Sequence, residues 1–416
     1  MGKGNSNLKF RLIIMNFLQF AIWGAWLISL GAYLGGTLNY TGAQIGSFFS
    51  TMGIAALFMP TLVGIIADKW VPAERLITIC HLISGILLVF AANQTDYTIL
   101  YTLMLLSVCF YMPTLGLTNS VAFGKMVAAG MDTVKDFPPI RVFGTIGFIV
   151  AMWIVDIAGF KMSNIQLYVA AIFSFALALY MLTFKPSPIV KTISSGKRTM
   201  MEKLGLQAFS LFKKRHMAIF FIFCFLLGIC LQITNTYAND YLTNYFGRIP
   251  EYANSFGVKY SGVLISISQI SEALCILLIP FFLKRFGIKT VMLISFLAWV
   301  IRFGLLGAGN PGDGLWMLVI SMLVYGVAFD FFNVSGALYV DKSAPVELRN
   351  SAQGVFLMMT NGLGSFFGPL LASRVVDHYN SIGQYPMAWY VFAGYAFVIM
   401  VAFYFLFHEK KEVANV

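Results

Sequence analysis

The sequence predicts an all-α polytopic membrane protein of twelve transmembrane helices in two six-helix halves. Three observations predict it. First, 59% of the residues are hydrophobic, 11% are charged and mean hydropathy is +0.80, outside the range of a water-soluble globular domain. Second, a helix needs about 20 apolar residues to cross a bilayer, and the 416 residues carry twelve such stretches joined by short connections. That leaves no room for a sizeable soluble domain. Third, one connection alone is long and polar, 186–216, and six stretches lie on each side of it. The expected organisation is an N-terminal bundle at 1–185, a basic linker at 186–216 and a C-terminal bundle at 217–416 with a short tail.

In order, the stretches fall at 10–35, 43–67, 76–93, 97–120, 138–159, 164–185, 217–238, 259–283, 288–309, 314–338, 350–374 and 386–407. The first follows Lys3, Lys9 and Arg11; it is too long for a signal-peptide core and lacks a small-residue cleavage site, so it reads as an uncleaved span. Pro113 is expected to kink the fourth. The linker ends on Lys213, Lys214 and Arg215, and most of the 28 Lys and Arg fall on the side of the membrane that holds it. The positive-inside rule then places both termini and the linker in the cytoplasm. The charge of +11 is accordingly a topology signal; no single basic face exists for a nucleic-acid partner, and the partner implied is the lipid bilayer. The five cysteines lie within apolar stretches without metal-ligand spacing and read as inert thiols. No metal motif, phosphate-cradling loop or nucleophile-base arrangement is present, so no catalytic residue and no enzyme is expected. His81, His216 and His408 read as surface or interface residues, Arg302 as a side chain snorkelling to the outer interface, and Gly364 with Gly368 as a close-packing pair.

Ionisable groups inside spans are costly and mark function by default. Arg141 in span five, Glu272 in span eight and Asp330 in span ten stand out. Each has company at helical spacing: Arg141 with Thr145 and Phe148, Gln269 with Glu272, Gln232 with Asn235 and Asn239, and Asp330 with Asn333. Four aligned polar faces in a hydrocarbon setting imply a shared interior cavity, since an amide turned to lipid stays unsatisfied. Aromatic stripes accompany them: Trp23 and Trp26 beside Gln19 in span one, and Tyr325, Phe329 and Phe332 in span ten. Flat faces together with amides suit a nucleobase, whose edge offers donors and acceptors, and Glu272 suits a ribose diol. One Arg against two carboxylates leaves no surplus positive charge for a phosphate.

Specific strings carry a family resemblance: FPPIRVFGTIGF at 137–148, LLGICLQITNTYAN at 226–239, ISISQISEALCILLIPFFLKRFGIK at 265–289, VYGVAFDFFNVSG at 324–336 and SAQGVFLMMTNG at 351–362. The chain resembles the nucleoside:proton symporter family of the major facilitator superfamily over nearly its whole length. Two loop strings, Gly64-x-x-x-Asp68-Lys69 and Pro280-x-x-x-Lys284-Arg285, resemble the superfamily's cytoplasmic gating motif, once in each half. The resemblance implies the major facilitator fold, with alternating access to a central site between the halves, and proton-driven nucleoside uptake across a bacterial cytoplasmic membrane by a monomer that needs no cofactor beyond the coupling proton. It implies substrate contacts at Arg141, Thr145, Phe148, Gln232, Asn235, Gln269, Glu272, Tyr325 and Phe329. A coupling group must change protonation during the cycle; Asp330, flanked by Phe329, Phe331 and Phe332, is the first candidate, with Glu272 sharing the role. Span five also resembles the oligosaccharide:proton symporters, which makes sugar symport the alternative; a membrane-integral binding protein or enzyme is the competing class.

Overall fold

The computed structural model describes residues 3–187, 206–345 and 349–408, all helical apart from turns and short connections. Helix α1 (Lys3–Trp26) resumes after a break as Leu30–Gly36; α2 is Gly42–Lys69, α3 Ala73–Ala92, α4 Tyr97–Ala128, α5 Thr133–Ile157, α6 Ile165–Leu182 and α7 Arg215–Asp240. The next continuous helical stretch, Ser261–Ala308, is too long for one crossing. It reverses at Gly287, where φ of +74° and ψ of 170° suit a residue without a Cβ. The two arms, α8 (261–286) and α9 (288–308), are separate spans, so the twelve expected are all present among the described residues. Helix α10 is Leu315–Ser343, α11 runs from Arg349 through a π-helical stretch at Met358–Leu363 to Gly364–Ser381, and α12 is Tyr385–Leu406. Helix α4 continues through Pro113, and both α4 and α10 extend past the apolar ends set by composition.

The chain folds as two compact units, Met1–Tyr40 with Ile54–Ile193, and Thr41–Gly53 with Ser194–Val416. In the first, α1 packs on α5 and α6, and α3 packs on α4 and α6. Small residues permit this: a Cβ on Gly24 would meet the Phe148 carbonyl oxygen at 2.2 Å, and one on Gly147 would meet that of Phe17 at 2.2 Å. A buried ion pair closes the α5–α6 turn, Lys161 Nζ to Asp156 Oδ1 at 3.3 Å. Burial pushes the Lys161 ammonium below the usual lysine value, and the Asp156 charge opposes that shift.

In the second unit α10 packs on the α8–α9 hairpin, α12 joins that hairpin, and α7 lies against α11. Gly364 bears out the close-packing expectation, since its Cβ would fall 2.7 Å from the Gly228 backbone of α7. The Ser271 and Ser295 hydroxyls donate to the Leu323 and Ala328 carbonyls and tie the hairpin to α10. Residues 42–53 of α2 belong here: the Gly42 and Ala43 N–H groups donate to the Asp377 carboxylate of α11, the latter at 2.9 Å, and the Tyr237 hydroxyl donates to the Gly42 carbonyl at 3.0 Å. Large apolar side chains such as Ile172, Leu179, Leu277 and Val398 stay exposed, as suits a chain whose solvent is lipid.

Candidate functional site

In the first unit α5 carries Arg141, Thr145 and Phe148 at helical spacing. Arg141 lies with its guanidinium carbon 3.9 Å from the Phe20 ring centroid of α1, a cation–π contact that keeps the charge over an aromatic face. Thr145 is half-buried one turn on, and Phe148 is buried where its backbone meets Gly24.

Gln19 departs from the stripe assigned to it. It is fully buried in a hydrogen-bonded cluster joining α1, α3, α4 and α6. Its Nε2 donates to Thr114 Oγ1 at 2.9 Å, Thr118 Oγ1 donates to its Oε1 at 3.1 Å, and the Tyr111 hydroxyl donates to its carbonyl at 2.8 Å. His81 completes the cluster, Nε2 lying 3.1 Å from Gln19 Oε1 and Nδ1 3.2 Å from Ser174 Oγ. This corrects the surface reading of His81. Its imidazole is 0% exposed, and two polar partners, Gln19 and Ser174, take the place of water at its ring nitrogens. Trp23 packs on Tyr111 with centroids 5.9 Å apart.

In the second unit α7, α8 and α10 present the amide, carboxylate and aromatic groups. Tyr325 and Phe329 stack with centroids 6.0 Å apart and planes at 15°, as their i, i+4 spacing on α10 requires. Asp330 is 3% exposed on α10, which packs on the hairpin whose first arm carries Glu272. Gln232 is buried, while Asn235, Gln269 and Glu272 are half-buried. Gln232 Oε1, Gln269 Oε1 and Asp330 Oδ2 are buried atoms with no hydrogen-bond partner among the described residues. Unsatisfied acceptors at such depth are rare, and each needs an explanation such as a ligand.

Arg302 is a second residue that sequence reasoning misplaced. It is 2% exposed and does not snorkel; its Nη1 donates to the Ser321 carbonyl at 2.7 Å and to Ser268 Oγ at 3.3 Å, and its guanidinium carbon lies 4.7 Å from the Tyr325 ring centroid. Its hydroxyl neighbours on α8 and α10 were a weak signal, and its main partner is a backbone carbonyl that no side-chain pattern reveals. Lys284 and Arg285 are exposed at the end of α8, while the side chains of Gly64 and Asp68 lie outside the described residues. The cysteines are free thiols, four of them buried. Among the described residues no His, Cys, Asp and Glu group is placed to hold a metal ion.

The family model for nucleoside H+ symporters matches residues 6–412. The nucleoside permease NupG of Escherichia coli (strain K12) is 49% identical over 407 residues, spanning 97% of each chain. The xanthosine permease of the same organism is 48% identical over 415 residues, spanning 98% of this chain and 99% of that one. A crystal structure of the nucleoside transporter NupG matches with a TM-score of 0.91 at 49% identity, covering 97% of this chain and all of that one. A D-xylose-proton symporter matches with a TM-score of 0.69 at 12% identity, a likeness of fold alone.

Proposed function

The chain belongs to the nucleoside H+ symporter family and has the major facilitator fold, and on that premise we propose that it is a proton-coupled nucleoside importer working by alternating access. The observation that carries the reading is the set of buried acceptors, Gln232 Oε1, Gln269 Oε1 and Asp330 Oδ2, beside the Tyr325–Phe329 stack. A base edge offers N–H donors to such acceptors and a flat face to such rings. In this reading Gln232, Asn235 and Gln269 read the base, Tyr325, Phe329 and Phe148 supply faces, Glu272 accepts from the ribose hydroxyls, and Arg141 with Thr145 holds the ligand from α5. Asp330 carries the proton, with Glu272 sharing the coupling; no other cofactor is used.

In this reading the multi-pass chain works in a bacterial inner membrane as a monomer, both termini and the linker 186–216 cytoplasmic, with 1–185 and 217–416 as the two bodies whose exchange of access moves the substrate. Gly64, Asp68, Lys284 and Arg285 serve the gating loops. The near-equal identity to a nucleoside permease and a xanthosine permease makes the base preference a question for a competition panel of uridine, adenosine, xanthosine and sugars.

The deciding experiment is uptake of labelled uridine and adenosine into proteoliposomes with and without an inward proton gradient. Accumulation above the external concentration is expected only with the gradient; uptake indifferent to pH and potential would sink the symport reading. Counterflow, which needs alternating access without net proton movement, isolates Asp330. Asp330→Asn is expected to bind and exchange but not accumulate, and full accumulation by that variant would transfer the role to Glu272.

A further inference from the structure

Arg302 is one of two lysine or arginine side chains buried among the described residues, the other being Lys161 in its ion pair. Removing a guanidinium from water is expensive unless it is hydrogen-bonded and faced by compensating groups. Here the compensation comes from three helices at one level. Nη1 takes the Ser321 carbonyl of α10 and the Ser268 hydroxyl of α8, and the Ser321 hydroxyl donates back to the Arg302 carbonyl of α9 at 2.9 Å. This leaves the planar cation 4.7 Å from the Tyr325 ring. Tyr325 in turn stacks on Phe329 and meets Trp299 edge-on, centroids 6.1 Å apart at 87°. Tyr325 is thus held on three sides by Arg302, Trp299 and Phe329.

We propose that Arg302 is a positioning residue for substrate recognition, its guanidinium fixing the Tyr325 ring in the orientation that completes the aromatic platform with Phe329. The proposal rests on the nucleoside reading of that platform. Arg302 touches no ligand; it acts through Tyr325. A planar cation matters because Nη1 alone donates to both the Ser321 carbonyl and the Ser268 hydroxyl while the rest of the flat guanidinium lies beside the ring, a surface that the compact point charge of a lysine ammonium does not offer.

The test is a double-mutant cycle in purified full-length protein, read as KM and maximal rate of uridine counterflow, with the thermal midpoint followed in parallel. Arg302→Met removes the buried cation with little change of volume, and Arg302→Lys keeps the charge but loses the plane. Each is expected to raise KM about tenfold at unchanged maximal rate, a size between the exposed and the fully desolvated cation–π contact. In a Tyr325→Ala background the same changes are expected to leave KM unaltered. An unchanged KM, a loss confined to maximal rate, or additive losses in the double variants would overturn the proposal. Should Arg302→Met fail to fold, Ser268→Ala withdraws one guanidinium contact and must raise KM in the same direction; an unchanged KM there also overturns it. Absence of uridine exchange by the unmodified protein would instead defeat the nucleoside reading, so the two failures are distinguishable.

Discussion

Substituting Gly24 by alanine tests whether the close approach of α1 and α5 sets the position of Phe148. The added Cβ would lie 2.2 Å from the Phe148 carbonyl oxygen and 2.7 Å from its Cα, where ordinary contact begins at 3.4 Å. Backbone has no rotamer with which to retreat, so the helices must separate by roughly 1 Å at this level. Overpacking of this kind costs about 1–3 kcal/mol, and Phe148 is carried away with α5. Stacking on a base is worth about 1–3 kcal/mol, so a displaced ring should weaken uridine binding about tenfold. The assays are the thermal midpoint and equilibrium uridine binding in detergent. Gly116→Ala in α4 is the control: its Cβ meets nothing within 4 Å, and alanine is the better helix former by about 1 kcal/mol, so both readings should hold or improve. A Gly24→Ala protein that melts and binds like the unmodified one would refute the reasoning.

Three further outcomes are expected. Gln232→Ala should weaken nucleoside binding about tenfold with the thermal midpoint preserved, since it withdraws a buried acceptor without a partner among the described residues; binding equal to the unmodified protein would remove Gln232 from the site. Lys161→Ala leaves the buried Asp156 carboxylate without its cation and should cost about 3–5 kcal/mol, while Lys161→Met combined with Asp156→Leu should recover most of that; equal losses would contradict the pairing. Because burial holds Lys161 below its ordinary 10.5, the unfolded chain takes up the proton first as pH falls through that window. Stability should therefore fall with pH there in the unmodified protein and lose that slope in the double variant.

Much of the fold was legible because lipid imposes a one-dimensional signal. Each span must be apolar over its crossing length, and the boundaries at 97 and 217 fall within a few residues of those observed. The ends of α4 and α10 were not legible, because a helix does not stop where its apolar stretch does. The face of α5 and the Tyr325–Phe329 stack followed from helical spacing. Arg302 and His81 did not. Hydropathy separates lipid from water but not lipid from protein interior, and both side chains are buried against partners distant in sequence, a carbonyl on α10 for one and Gln19 of α1 for the other.

The Asp377 carboxylate that receives the first N–H groups of α2 stands 335 positions beyond Gly42 in the chain. At ordinary elongation rates of about 5–20 residues per second, some tens of seconds separate the synthesis of the two. Through that interval the start of the second helix must leave its donors to water, headgroups or an insertion partner. A ribosome stalled before Asp377 should therefore display a nascent chain frayed at residues 42–43, protected from hydrogen exchange only once the eleventh helix has entered the bilayer. The order of manufacture is thus written into a pair of backbone amides, and the penultimate helix settles where the second one begins.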